Sequence, residues 1–126
     1  MKRYLSWSGG KDSSAGIALC YEKGIHLDGV VMSEVMFDHS RNISGENPKH
    51  IKWVYEVAKP TIERMGYPVI IVRSPKDYLS VFNHRITRSK NLEYNGKKTG
   101  FLLGGMCAAN SQLKMQPIPA FFKNVG

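Results

Sequence analysis

Three short apolar runs alternate with helical patterns, and that alternation restricts the fold more than any other feature of the chain. The runs are "RYLSW" (3–7), "DGVVMS" (28–33) and "PVIIVRS" (68–74). The second and third are continuously apolar, as strands covered on both faces of a parallel sheet are. Between the first two lies "SSAGIALCYEKG", helical in spacing and ended by Gly24. Between the second and third, Asn47 precedes Pro48, a capped helix start. Ile51, Val54, Tyr55, Ala58, Ile62 and Met65 then recur at helical spacing, and Pro60 inside that pattern predicts a kink or break. Strand, helix, strand, helix, strand implies right-handed βαβ units. The expected fold class is α/β, a three-layer α/β/α sandwich around a small, mainly parallel sheet.

The 126 residues suffice for one domain, residues 1–126, with a core that needs no disulfide staples. Three parallel strands leave exposed edges, which such sheets tolerate poorly. Three remedies are open: further strands in the last third, a homodimer or partner subunit over the edge, or a shortened chain whose C-terminal strands are missing. Residues 34–46 read as irregular. Ser74 to Asp77 reads as a capping box before a short helix ending near Asn83. A basic, polar stretch over 85–101 follows, with an Asn95-Gly96 turn. A short helix over about 107–114, stopped by Pro117, and a final aromatic turn complete the chain.

An apolar fraction of 42% with 22% charged residues excludes a disordered chain. Cys20 and Cys107 stand alone and far apart, which argues against a disulfide framework or a zinc knuckle. No apolar run approaches the ~20 residues of a membrane span, so a cytoplasmic protein without a membrane partner is expected. Residues 1–63 hold eight Lys/Arg and eight Asp/Glu, whereas residues 64–126 hold ten Lys/Arg against Asp77 and Glu93 alone. The second half therefore carries the whole net charge of +8. That asymmetry suits an anionic partner, nucleotide or nucleic acid, and suits a solvated basic face equally.

The chemistry-bearing stretch is "SWSGGKDSS" (6–14), between the first strand and the first helix. It is neither the Walker loop nor the dinucleotide fingerprint, yet it uses the same physics. Gly9 and Gly10 let backbone amides turn inward with no Cβ in the way. Ser13 and Ser14 offer hydroxyls, as does Ser6 before the turn. Lys11 offers a charge, and the helix start presents unpaired N–H groups and its positive dipole end. A plain turn with Asp12 or Ser13 as cap is the competing reading. Weaker candidates lie beyond the second strand. Glu34, Asp38 and His39 stand where ribose, base or metal contacts gather, and Glu46 and His50 have the i, i+4 spacing of a divalent-ion pair. The basic stretch 85–98, with Phe82, Tyr94 and Phe101 nearby, suits nucleic acid or a lid over a charged nucleotide.

Ser8-Gly9-Gly10-Lys11-Asp12-Ser13 resembles the S-G-G-x-D-S signature of the PP-loop superfamily, whose members bind ATP or related adenine nucleotides. "VVMSEVMFD", "SGENPKHIKWV" and "GGMCAANSQLKMQPIPAFF" resemble, in order, segments of the phosphoadenosine phosphosulfate (PAPS) reductase family. The last carries Cys107, Leu113, Lys114 and Pro117 in a C-x-x-x-L-K-x-x-P-like pattern. The resemblance implies an adenine nucleotide alpha hydrolase-like fold and an adenine-nucleotide ligand: PAPS, ATP or AMP. It implies Ser8, Gly9, Gly10, Asp12 and Ser13 as phosphate contacts, Lys114 at the anionic end, and a thioredoxin-like reductant. The family's catalytic cysteine lies in a C-terminal tail, and Cys107 matches an interior segment instead, which leaves it a weak catalytic candidate. No iron–sulfur cluster is expected. Reductive sulfur transfer is the leading expectation. The alternatives are a non-catalytic nucleotide-binding module, a subunit of a nucleic-acid sulfur-modification system, and ATP-pyrophosphatase-type adenylyl transfer.

Overall fold

A computed structural model describes residues 2–88, 90–98 and 110–125. The elements are β1 (Tyr4–Ser6), α1 (Lys11–Glu22), β2 (Gly29–Glu34), β3 (Met36–Asp38), β4 (Ile43–Ser44), α2 (Pro48–Trp53), α3 (Lys59–Arg64), β5 (Val69–Arg73), α4 (Tyr78–Asn83) and α5 (Pro117–Val125). The three apolar runs form one parallel sheet in the order β1-β2-β5. Leu5 pairs with Val30, Val30 with Val69 and Met32 with Ile71. These side chains share one face, where they pack with Ile17 and Cys20 of α1 and with Val54, Ala58 and Ile62. Both crossovers thus lie on the same side, as same-handed crossovers advancing in one direction must. On the opposite face, Tyr4 meets Phe121 and Phe122 of α5 at ring separations of 5.6 and 5.5 Å. There too the buried Ser33 hydroxyl donates to the Leu113 carbonyl at 3.4 Å. Helices cover both faces of the small sheet, so the chain is α/β.

The first helix begins at Lys11, two residues before the expected start, and Gly24 (φ +68°) closes it as expected. Asn47 caps α2, its side-chain Oδ1 accepting from the Lys49 and His50 amides at 3.0 and 3.3 Å. Pro60 neither breaks nor ends the helical run. The backbone instead widens to π geometry over Val54–Ala58, where the Lys59 amide reaches back five residues to the Val54 carbonyl. Pro60 has no N–H for the Glu56 carbonyl, and the wider turn absorbs that gap. It also serves the core. Four-residue steps drift by about 40° each in an α-helix of 3.6 residues per turn, yet Val54, Ala58 and Ile62 are all buried. Tyr55 departs from the expected apolar stripe and is exposed, with its hydroxyl turned to Glu34.

Three further expectations are corrected. Residues 36–44 are not irregular but form an antiparallel β3–β4 hairpin, whose turn places Asn42 at φ +54°. The capping box lies at Asp77 and Ser80, three residues later than expected, while Ser74 accepts from the Lys76 amide in a turn of its own. The helical segment expected before Pro117 does end there, but Pro117 also starts a helix where only an aromatic turn was expected, because a proline needs no partner for its nitrogen in a first helical turn. The segment before it, Asn110–Met115, is a π-helical turn. Among the described residues, no strand of the last third joins the parallel sheet, and no helix is long and apolar enough to cross a membrane.

Candidate functional site

Parallel pairing brings the carboxyl ends of β1, β2 and β5 to one edge of the sheet, and the glycine turn leaves from there. Buried Trp7 continues the ladder, its amide donating to the Val31 carbonyl at 2.9 Å. Its indole N–H donates to the Ser14 hydroxyl at 3.0 Å, fastening the strand end to the first turn of α1. Ser8 and Ser13 close the turn. The Ser8 amide donates to Ser13 Oγ at 3.2 Å, the two hydroxyls lie 3.1 Å apart, and the Gly10 amide donates to Ser8 Oγ at 3.2 Å.

Gly10 is the N-cap of α1 and supplies no side chain to it. Ser14 is the first residue whose amide is satisfied within the turn, by the Gly10 carbonyl at 3.1 Å. Among the described residues, nothing accepts from the Lys11, Asp12 and Ser13 amides. Three donors therefore stand open at the positive end of a 12-residue helix. Lys11 and Asp12 extend into solvent, and their 3.3 Å pair contributes little at such exposure. Ser6 is exposed at the end of β1.

Gly9 has φ +83°, and His50 from the first turn of α2 lies directly over it. A Cβ at Gly9 would stand 2.6 Å from His50 Nε2. The imidazole stacks on Trp53, with ring centroids 6.1 Å apart. Sequence spacing had paired His50 with Glu46 for an ion, but Glu46 accepts from the Val35 amide at 3.2 Å instead. An apolar groove of about 230 Å³ starts at Trp7 and Ser14 and continues between α1 and the helical run, past Trp53 and Val57.

At the ends of β2 and β5 sits a second polar cluster. Glu34 is 1% exposed, and both its oxygens accept from the Tyr55 hydroxyl (2.9 and 3.3 Å) and from Arg73 Nη2 (2.9 and 3.3 Å). Burial, opposed by the Glu34 contact, acts on the Arg73 guanidinium, and the net effect raises its already high pKa. Burial pushes the Tyr55 phenol up, and the Glu34 carboxylate adds to that. Glu34 thus faces its protein partners, and Arg73, with 40% of its side chain exposed, is the group this cluster turns toward solvent. Arg73 was not anticipated. The available signal was a cation closing an otherwise apolar strand.

Asp38 and His39 pin the hairpin. Asp38 accepts from the Ser40 hydroxyl at 2.6 Å and from Arg41 Nε at 2.9 Å. His39 Nε2 donates to the Ser74 carbonyl at 2.7 Å, and its amide donates to Asp77 at 2.8 Å. Lys114 is exposed, and its neighbour Leu113, fastened to Ser33, holds it beside the carboxyl half of β2. Cys107 lies outside the described residues. Among the described residues, no three His, Cys, Asp or Glu side chains form a metal-holding group. No family model, curated protein or solved structure matches the chain.

Proposed function

We propose that the chain binds an adenine nucleotide through residues 8–13, as a PP-loop protein of the PAPS reductase type. The observation that carries this reading is the uncapped start of α1, with three open amides behind the turn that bears S-G-G-K-D-S. A phosphate there would meet preorganised donors and the helix dipole. Lys11, on the solvent side of the turn, supplies a charge for a phosphoryl oxygen. His50, over Gly9, adds an imidazole to the rim.

The associated chemistry is reductive sulfur transfer. A dithiol reductant of the thioredoxin kind attacks the sulfonate sulfur, sulfite is released with the dithiol oxidised to disulfide, and the nucleotide leaves as its bisphosphate. Calorimetric titration with ATP, AMP and PAPS tests binding, with Gly10→Asp as control. The reading predicts binding of at least one ligand and its loss in the control. No binding at millimolar ligand, or equal binding by the control, overturns it. Sulfite release coupled to thioredoxin then separates a reductase from a binding module. Release abolished in Cys107→Ser would assign that thiol to the chemistry.

A further inference from the structure

The segment 85–98 has a structure of its own that the nucleotide site does not require. Arg85 and Lys98 form an antiparallel bridge at its base. Inside it, the Ile86 amide donates to the Lys97 carbonyl at 3.0 Å and the Gly96 amide donates to the Ile86 carbonyl at 2.8 Å. A single 3-10 turn, Leu92–Tyr94, is capped by the Asn91 side chain, which accepts from the Glu93 amide at 3.1 Å. Arg85 Nη1 donates to the Gly96 carbonyl at 2.9 Å. The loop is thus closed by bonds at its base, and none of its described residues belongs to either core cluster.

Its surface has one composition. Arg85, Arg88, Lys90, Lys97 and Lys98 are exposed, and Glu93 is the sole acid. None of the five cations forms a salt bridge among the described residues, and the sequence from 99 to 126 contains no acidic residue. Two large apolar groups stand among them. Leu92 is 80% exposed and Tyr94 51%, and the Lys97 ammonium lies 5.6 Å from the Tyr94 ring centroid. A bonded loop whose exposed cations lack acidic partners among the described residues, with an exposed aromatic ring in the same segment, matches what a single-stranded nucleic acid requires. Cations track the phosphates, and a base stacks on the ring or replaces the ammonium over it. A duplex calls for a helix or ribbon that enters a groove, and 3-10 geometry over three residues supplies neither.

We propose that residues 85–98 form a docking surface for single-stranded nucleic acid, separate from the nucleotide loop. The full chain is titrated into a fluorescent 20-nucleotide oligo(dT) at several salt concentrations. Five phosphate contacts give a slope of about −3.5 in log affinity against log salt, or roughly 100-fold weakening between 50 and 200 mM. The double variant Arg88→Glu/Lys90→Glu, on exposed positions, lowers that slope toward about −2. Tyr94→Ala weakens binding several-fold with the slope unchanged, whereas Gly10→Asp leaves it intact. Four results overturn the proposal: no oligonucleotide binding at 50 mM salt, equal binding by the charge-reversed variant, tighter binding to duplex of the same length, or preference for anionic vesicles. Loss of ATP or PAPS binding in Arg88→Glu/Lys90→Glu, without any oligonucleotide effect, would make the segment a lid of the nucleotide site.

Discussion

Gly9→Ala separates the two reasons for which residue 9 must lack a side chain. The backbone at φ +83° costs an L-residue about 1–2 kcal/mol wherever it occurs. The second cost is local to this fold. The new Cβ would lie 2.6 and 2.7 Å from two atoms of the His50 imidazole, well inside contact distance. That ring is half-buried and stacked on Trp53, so swinging it away gives up packing worth about 1 kcal/mol. Gly9→Ala should therefore destabilise the protein by about 2–3 kcal/mol. In a His50→Ala background the same change should cost only the backbone part, leaving a coupling of about 1 kcal/mol. Urea unfolding of wild type, both single variants and the double variant measures all of these. A Gly9→Ala cost below about 0.5 kcal/mol would refute the conformational argument. Full additivity in the cycle would show that His50 does not sit on the turn.

Other perturbations follow from the same geometry. Arg73→Met strands the buried Glu34 carboxylate and should cost about 3 kcal/mol in chemical denaturation, the low end of the range for such pairs because the guanidinium is partly solvated. Glu34→Leu/Arg73→Met removes both charges and should recover most of that loss, and a double variant as unstable as Arg73→Met would contradict the account. Asn47→Ala withdraws the acceptor of two helix amides and should cost about 1 kcal/mol by urea unfolding. If residues 8–13 bind a nucleotide as proposed, the variant should also weaken that binding, because it loosens the turn that carries His50. The Ser40 hydroxyl, and after it Arg41, holds the Asp38 carboxyl below its ordinary range, although burial opposes them. A lowered folded pKa means that stability is present above about pH 4 and is lost as the pH falls through the folded value. Acid titration followed by circular dichroism should show that Asp38→Asn lacks this component.

What the sequence made legible was local. Asn47 and Pro48 announce the start of α2 because the cap and the amides it satisfies lie within three residues. The glycine turn was readable for the same reason, with strand, turn and helix contiguous. The His50–Gly9 contact was not, because it depends on where α2 lands after the β3–β4 excursion. The Glu34–Arg73 pair joins residues 39 apart through the register of β2 with β5, which no spacing rule contains. The hairpin itself escaped notice because strands of three and two residues are too short to display alternation. The helix that starts at Pro117 is hidden because the same proline also ends the turn before it, and the packing of Phe121 and Phe122 on Tyr4, which holds α5, lies outside any local pattern.

That last contact has a consequence for the order of assembly. β1, β2 and β5 pair in chain order, with each crossover helix landing on the same face, so residues 4–73 can dock one βαβ unit at a time. Tyr4, in the first strand, waits for α5, the last described helix, before its ring is covered. At Tyr4 the opposite face of the sheet is therefore uncovered until residues 121 and 122 dock. Docking of α5, rather than pairing of β1 with β2, is what covers that end of the sheet, and Phe121→Ala should loosen α5, read as faster proteolysis of that segment, while the sheet is retained.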